Sequence, residues 1–330
     1  MNRYVRIGAF VLGAVVLTLL IRHSGPALVW ATLRESAWVL GPVIILWGLV
    51  YACNARAWQL LMPNRPPEFT FWRAFLLTIA GFAMNYSIPA LSMGGEPLKI
   101  AGAAQWVGRQ RAVGSAVGFR FLHSIAHILI LLVAMVPAAI LLPHTPLVFG
   151  ALGITSLLIG FAAWFLLSQH RDGIFERGVA FLGRLGPLRR LATKLEANRP
   201  FLQELDVELT AIHNAPGQFK WALGMELTGR VLSTMEYALI FYGLGLGADV
   251  MRAFVVANLA TLFTNLLFFM PFEMGSKEGG AFVVFAWLGM DPKLGTSAAL
   301  LSRVRELAWM ALGLGAILLL DDAKKVRRKT

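Results

Sequence analysis

Apolar stretches long enough to cross a bilayer recur from one end of this chain to the other, and no other feature narrows its fold as much. They run Ile7–Ile21, Ala37–Cys53, Ala74–Ile88, Ala112–Leu142, Leu147–Leu167, Ala222–Leu246, Ala253–Met270 and Leu294–Leu320. A helix crosses the hydrocarbon core in about 20 residues. Backbone inside lipid must satisfy its own hydrogen bonds, so runs of this length span as helices. With 57% hydrophobic and 15% charged residues over 330 positions, the composition is that of a multi-span membrane protein. The sequence therefore predicts an all-α, polytopic integral membrane protein of about eight transmembrane helices. The first run is followed by "LLIRHSGPALVW", which has no small-residue cleavage site, and it reads as an anchor rather than a removed signal peptide.

The net charge of +12 does not point to nucleic acid, because no aromatic-basic groove pattern accompanies it. Many basic residues sit instead at the ends of apolar runs, where they fix orientation or touch anionic headgroups. Lys324, Lys325, Arg327, Arg328 and Lys329 follow the last run directly, and Arg3 and Arg6 precede the first. Both termini are therefore expected on the cytoplasmic side, with an even number of crossings. The single cysteine, Cys53, excludes an internal disulfide and a cysteine-based zinc cluster.

The one long polar stretch, residues 168–220, divides the chain into a first membrane half (1–167) and a second (221–330). Leu202, Leu205, Leu209 and Ile212 recur in it at helical spacing, the pattern of an amphipathic surface helix. The two halves echo each other between about 72–120 and 251–305. "WRAF" (Trp72–Phe75) matches "MRAF" (Met251–Phe254), and Asn85 and Asn265 follow at 12 and 13 residues from the arginine. "PALSMGGE" (Pro89–Glu96) then matches "PFEMGSKE" (Pro271–Glu278), and "SAVGFR" (Ser115–Arg120) matches "SAALLSR" (Ser297–Arg303). A period of about 180 residues is too long for a solenoid and is the size of a duplicated half-transporter.

Each half thus carries one polar, glycine-containing interruption flanked by short apolar pieces, the pattern of a broken or re-entrant helix. Irregular backbone at membrane depth survives only inside protein or beside a water-lined cavity. If both breaks are re-entrant there are eight crossings; if each completes a crossing there are ten, with inverted repeats. We take eight.

A charge at a helix centre costs roughly 2.5–3.5 kcal/mol on insertion scales, so intramembrane charges mark functional sites. The substrate-binding or gating candidates are Asn85, Gly94, Gly95, Glu96, Lys99 and Arg120 in the first half. In the second they are Asn265, Lys277, Glu278, Arg303 and Arg305. Bland readings stand beside these. Glu96 precedes Pro97 and can simply complement a helix dipole, as can Glu278 after a possible N-cap at Ser276. Arg120 and Arg303 suit bidentate phosphate recognition, or form ion pairs with Glu96 and Glu278, with Arg305 or Glu306 finding a neighbour. Lys99 reads more readily as snorkelling to the interface. Glu226 and Arg230, four apart, make a local pair. His123 and His127, also four apart, lack the further ligands that a metal needs and read as polar packing or a proton relay. Arg56 marks a span end near the headgroups.

Trp58, Asn85, Pro89, Gly94, Gly95, Glu96, Lys99 and Arg120, followed by Pro271, Gly275, Glu278 and Arg303, resemble the flippase-like membrane domain of the lysylphosphatidylglycerol synthase transmembrane family. The resemblance runs from about residue 50 to the end. The second motif departs from "P-G-G-x-G-x-x-E" and carries an extra acid, Glu273. The chain ends at "DDAKKVRRKT" without a synthase-like domain. The resemblance therefore implies the lipid-translocating half, in a bacterial cytoplasmic membrane, acting on a lipid with a phosphate-bearing headgroup. It needs no cofactor, and a lipid-synthesis enzyme is a possible partner. With no nucleotide motif, transport would be passive or ion-coupled, with Glu96 and Glu278 as candidate proton sites. The alternatives are an intramembrane lipid-modifying enzyme using Glu96 or Glu278 as base with His123 or His127 assisting, or a non-catalytic partner of lipid-synthesis enzymes.

Overall fold

The computed structural model describes residues 15, 18–19, 21–23, 25–62, 64–87, 95–168, 216–267, 270 and 273–327. The amphipathic segment of the polar stretch, together with Pro89, Gly94, Pro271, Arg328 and Lys329, lies outside the described residues.

Ten α-helices are formed by the described residues: α1 (Pro26–Glu35), α2 (Leu40–Leu60), α3 (Phe71–Ser87), α4 (Glu96–Val107), α5 (Arg109–Leu141), α6 (Pro146–Ser168), α7 (Pro216–Gly243), α8 (Val250–Leu266), α9 (Ser276–Trp287) and α10 (Pro292–Arg327). A 3-10 turn, Ala37–Val39, leads into α2. Local chemistry sets several of these boundaries. Asp249 caps α8 by accepting the Arg252 backbone N–H at 2.9 Å, satisfying one of the orphan donors of a helix start. Pro97 lies in the first turn of α4, where a missing N–H costs nothing. Gly108 joins α4 to α5 at φ +82°, a conformation open to glycine and strained for other residues.

The expected interruptions fall between a 17-residue and a 12-residue helix in both halves: α3 to α4, and α8 to α9. A long helix follows each time, α5 with 33 residues and α10 with 36. Packing follows the same correspondence. If α2, α3, α4 and α5 are exchanged with α7, α8, α9 and α10, the contacting pairs among these eight helices map onto one another, and α2 against α7 onto itself. The cross-half contacts are the telling ones, because α3 packs on α10 while α8 packs on α5.

The surface and interior are reversed relative to a protein in water. Ile45, Val136, Leu157, Phe161, Trp164 and Leu318 are among many large apolar side chains that face outward, far more apolar surface than a water-soluble monomer leaves exposed. Inside lie Glu226 and Glu278, both 0% exposed, with Glu236, Arg305 and Lys99. Among the described residues, two helical segments are long and apolar enough to cross a membrane, Ala37–Leu60 and Arg109–Leu141. The helices α7 and α10 have the length, but Glu226, Arg230 and Glu236 interrupt the first and Arg303, Arg305 and Glu306 the second. Those interruptions build the site.

Candidate functional site

Two cavities lie side by side among the helices. The first, of about 290 Å³, is lined by Asn85, Glu96, Lys99, Arg120, His123 and Glu226 among others. The second, of about 220 Å³, is lined by His127, Glu236, Asn265, Lys277, Arg305 and Glu306 among others. Trp47, Phe82, Arg230, Ser233 and Glu273 line both, so the two are compartments of one polar chamber.

The first compartment is built where the first break meets α2, α5 and α7. Asn85, near the end of α3, accepts the Gly95 backbone N–H at 2.7 Å, which pins the start of α4 against α3. Gly95 is required there: a Cβ on it would lie 2.7–2.8 Å from the backbone of Gly81, closer than atoms pack. This contact sets Glu96 facing the compartment. Glu96 pairs with Lys99, whose Nζ lies 3.7 Å from Oε2. Lys99 is 4% exposed and sits over the rings of Phe119 and Trp58 at 4.4 and 4.6 Å. It faces inward instead of snorkelling, because the two aromatic faces replace part of its hydration.

A second cluster closes this compartment from α7. His123 Nδ1 lies 2.5 Å from Glu226 Oε1 and its Nε2 lies 2.6 Å from Arg230 Nη2. The Glu226 Oε2 accepts from Asn54 at 2.8 Å. The expected Glu226–Arg230 pair is therefore bridged by His123. His127 turns to Asn265, 2.9 Å away, so the two histidines have separate partners. Among the described residues no group of three or more metal-ligating side chains assembles.

The second compartment is held by paired charges. Arg305 donates to Glu236 through Nε at 3.1 Å and Nη2 at 2.9 Å. Trp47 donates its indole N–H to the same carboxylate at 2.9 Å and lies under the guanidinium at 3.7 Å. Lys277 donates to Ser302 at 2.7 Å and pairs with Glu306. Such pairing is what allows buried charge to persist at all. Glu273, the extra acid of the second motif, lines both compartments from a backbone at φ +53°, a strained value for a non-glycine residue.

Glu278 and Arg303 stand apart from the other predicted site residues. They pair as expected, at 2.6 Å, but neither lines a compartment. Glu278 also accepts the Gly275 N–H at 2.9 Å; the residue before α9 is Gly275, at φ +79°, and Ser276 opens the helix. Arg303 reaches Tyr86 at 3.2 Å and the Glu273 carbonyl at 3.3 Å. It thereby ties the end of α3 to the second break.

Six buried side-chain polar atoms accept or donate no hydrogen bond among the described residues: Tyr51 Oη, Glu96 Oε2, His127 Nδ1, Arg230 Nε, Tyr237 Oη and Glu306 Oε2. All six belong to residues lining the chamber. Buried polar groups are nearly always satisfied, so orphans gathered around one space mark where water or a polar ligand completes them.

Of the residues singled out in the sequence, Asn85, Glu96, Lys99, Arg120, Asn265, Lys277 and Arg305 line this chamber, and Gly95 packs beside it against Gly81. His123, His127, Arg230, Glu236 and Glu306 line it too and are not among the binding or gating candidates of the sequence. Their signal was available, since charged and imidazole groups inside apolar runs are costly. What sequence lacked was the packing of α7 and α10 against the first-half helices, which brings these side chains together.

An apolar exterior around a buried, charged chamber defines a helical membrane protein. The family model of the lysylphosphatidylglycerol synthase TM region matches residues 6–315, and the chain belongs to that family, whose name ties it to lipid-related work in the membrane. Neither the curated proteins nor the solved structures contain a match to this chain.

Proposed function

We propose that this protein moves a lipid with a phosphate-bearing headgroup between the leaflets of a bacterial cytoplasmic membrane, the headgroup passing through the chamber while the tails stay in the bilayer. The observation that carries this reading is the set of six orphaned polar atoms around one cavity. Lys99, Arg120 and Arg230 supply the positive charge for a phosphate, and Glu96 gates their access. The matched order and packing of α2–α5 and α7–α10 support a duplicated core; two re-entrant breaks, eight crossings and cytoplasmic termini complete the reading, from the apolar runs and the basic ends of the sequence. Transport is passive or proton-coupled, and a lipid-synthesis enzyme supplies the substrate.

The rival is a lipid-modifying enzyme, with the Glu226–His123 pair as its base. His123 Nε2 is already engaged by Arg230 at 2.6 Å, which favours transport. The test is leaflet exchange of fluorescent lipids in proteoliposomes. Exchange that Glu96→Gln abolishes supports translocation; chemically altered lipid without exchange supports the enzyme; neither result from any anionic, zwitterionic or isoprenoid lipid supplied sinks both.

A further inference from the structure

Away from the chamber, between the end of α2 and the start of α3, lies a separate recess of about 330 Å³. Arg56, Gln59, Arg65, Pro66, Thr70 and Phe71 are among its walls, and among the described residues no acidic side chain lines it. Two arginines converge there on one residue. Arg56 Nη1 lies 3.4 Å from Gln59 Oε1, and Arg65 Nη1 lies 3.5 Å from the Gln59 carbonyl. Gln59 is itself fixed, donating to the Phe69 carbonyl at 3.1 Å. Among the described residues neither guanidinium pairs with a carboxylate. Burial and the neighbouring Arg56 both hold Arg65 below the ordinary arginine range.

Position selects the ligand. The recess begins where the membrane-length segment Ala37–Leu60 ends. Beside it Trp72 is strongly exposed and Arg73 stacks on Trp106 at 3.7 Å, the aromatic and basic pattern of a headgroup layer. Arginine presents five N–H donors in a fork suited to phosphate oxygens, and each guanidinium here uses one nitrogen on Gln59. We infer that this recess binds the phosphate of an anionic lipid headgroup at the membrane surface, apart from the transport chamber.

The test is thermal unfolding of the detergent-solubilised full chain, titrated with short-chain phosphatidylglycerol, short-chain phosphatidylcholine or inorganic phosphate. A basic side chain near the surface changes affinity for an anionic headgroup about fivefold, so Arg56→Gln with Arg65→Gln should weaken the phosphatidylglycerol response about thirtyfold. Glu96→Gln should keep it, and phosphatidylcholine should act more weakly in the wild type. A wild-type response in the double variant overturns the site. A full response to inorganic phosphate alone overturns the lipid assignment in favour of a free anion. If the double variant does not fold, headgroup-photoreactive phosphatidylglycerol decides on the wild type: adducts within residues 56–71 support the site, and adducts confined to chamber residues overturn it.

Discussion

Arg303 of the second half donates to the Tyr86 hydroxyl of the first at 3.2 Å, and the same guanidinium holds Glu278 at 2.6 Å. One side chain therefore joins the helix before the first break to the helix after the second. Tyr86→Phe removes this link while preserving the ring. Side-chain hydrogen bonds within membrane proteins contribute about 0.6 kcal/mol on average and up to about 1.7, so a small loss of thermal stability is expected. If the link restrains the breaks, lipid exchange in proteoliposomes should quicken severalfold; an unchanged rate would show that it restrains nothing.

The two motif glutamates should fail differently. Glu278 is fully buried with Arg303 as partner, and neutralising it leaves a buried guanidinium without its carboxylate. Glu278→Gln should lose both exchange and stability, the latter by about 3–5 kcal/mol. Glu96 has an unsatisfied oxygen facing the chamber, so Glu96→Gln should lose exchange while melting near wild type. Equal melting temperatures for the two variants would contradict this division.

The Arg305–Glu236 pair invites a different comparison. Glu236→Gln alone should lower stability by about 3–5 kcal/mol, whereas replacing both partners with methionine should recover most of it. Melting curves in detergent for the three proteins decide the point. Should the double variant stay as unstable as the single one, Arg305 and Glu236 have partners that matter more than each other.

Gly95→Ala tests the close approach of α3 and α4. The added methyl would meet Gly81 backbone, and overpacking typically costs about 1–3 kcal/mol. Because Glu96 is the next residue, exchange should fall more than stability does. Full exchange by a folded Gly95→Ala protein would mean that the position of Glu96 is not critical.

Much of this was legible in advance, for physical reasons that differ by residue. Apolar run length gave the helices, and the cost of intramembrane charge singled out Glu96, Arg120 and Arg305. Helix-start chemistry placed α4, where Pro97 suits the first turn, while the N-cap expected at Ser276 falls one residue earlier, on Gly275. Lys99 was misjudged because its aromatic neighbours Trp58 and Phe119 come from α2 and α5, 41 residues before it and 20 after. His123 was undervalued for a similar reason: Glu226 lies 103 positions away. No periodicity within one segment reports a partner at that range.

The crossed packing of the two halves has a consequence for biogenesis. α3 rests on α10, and α8 on α5, while Asn54 and His123 find their carboxylate only on α7. When the first half leaves the ribosome and enters the bilayer, its helices can pack on one another but lack their partners across the halves, and His123 is without the Glu226 carboxylate. It must wait, incomplete, for the second half to arrive. A truncated message would thus release an insertion product with exposed polar groups in lipid, a ready substrate for membrane proteolysis.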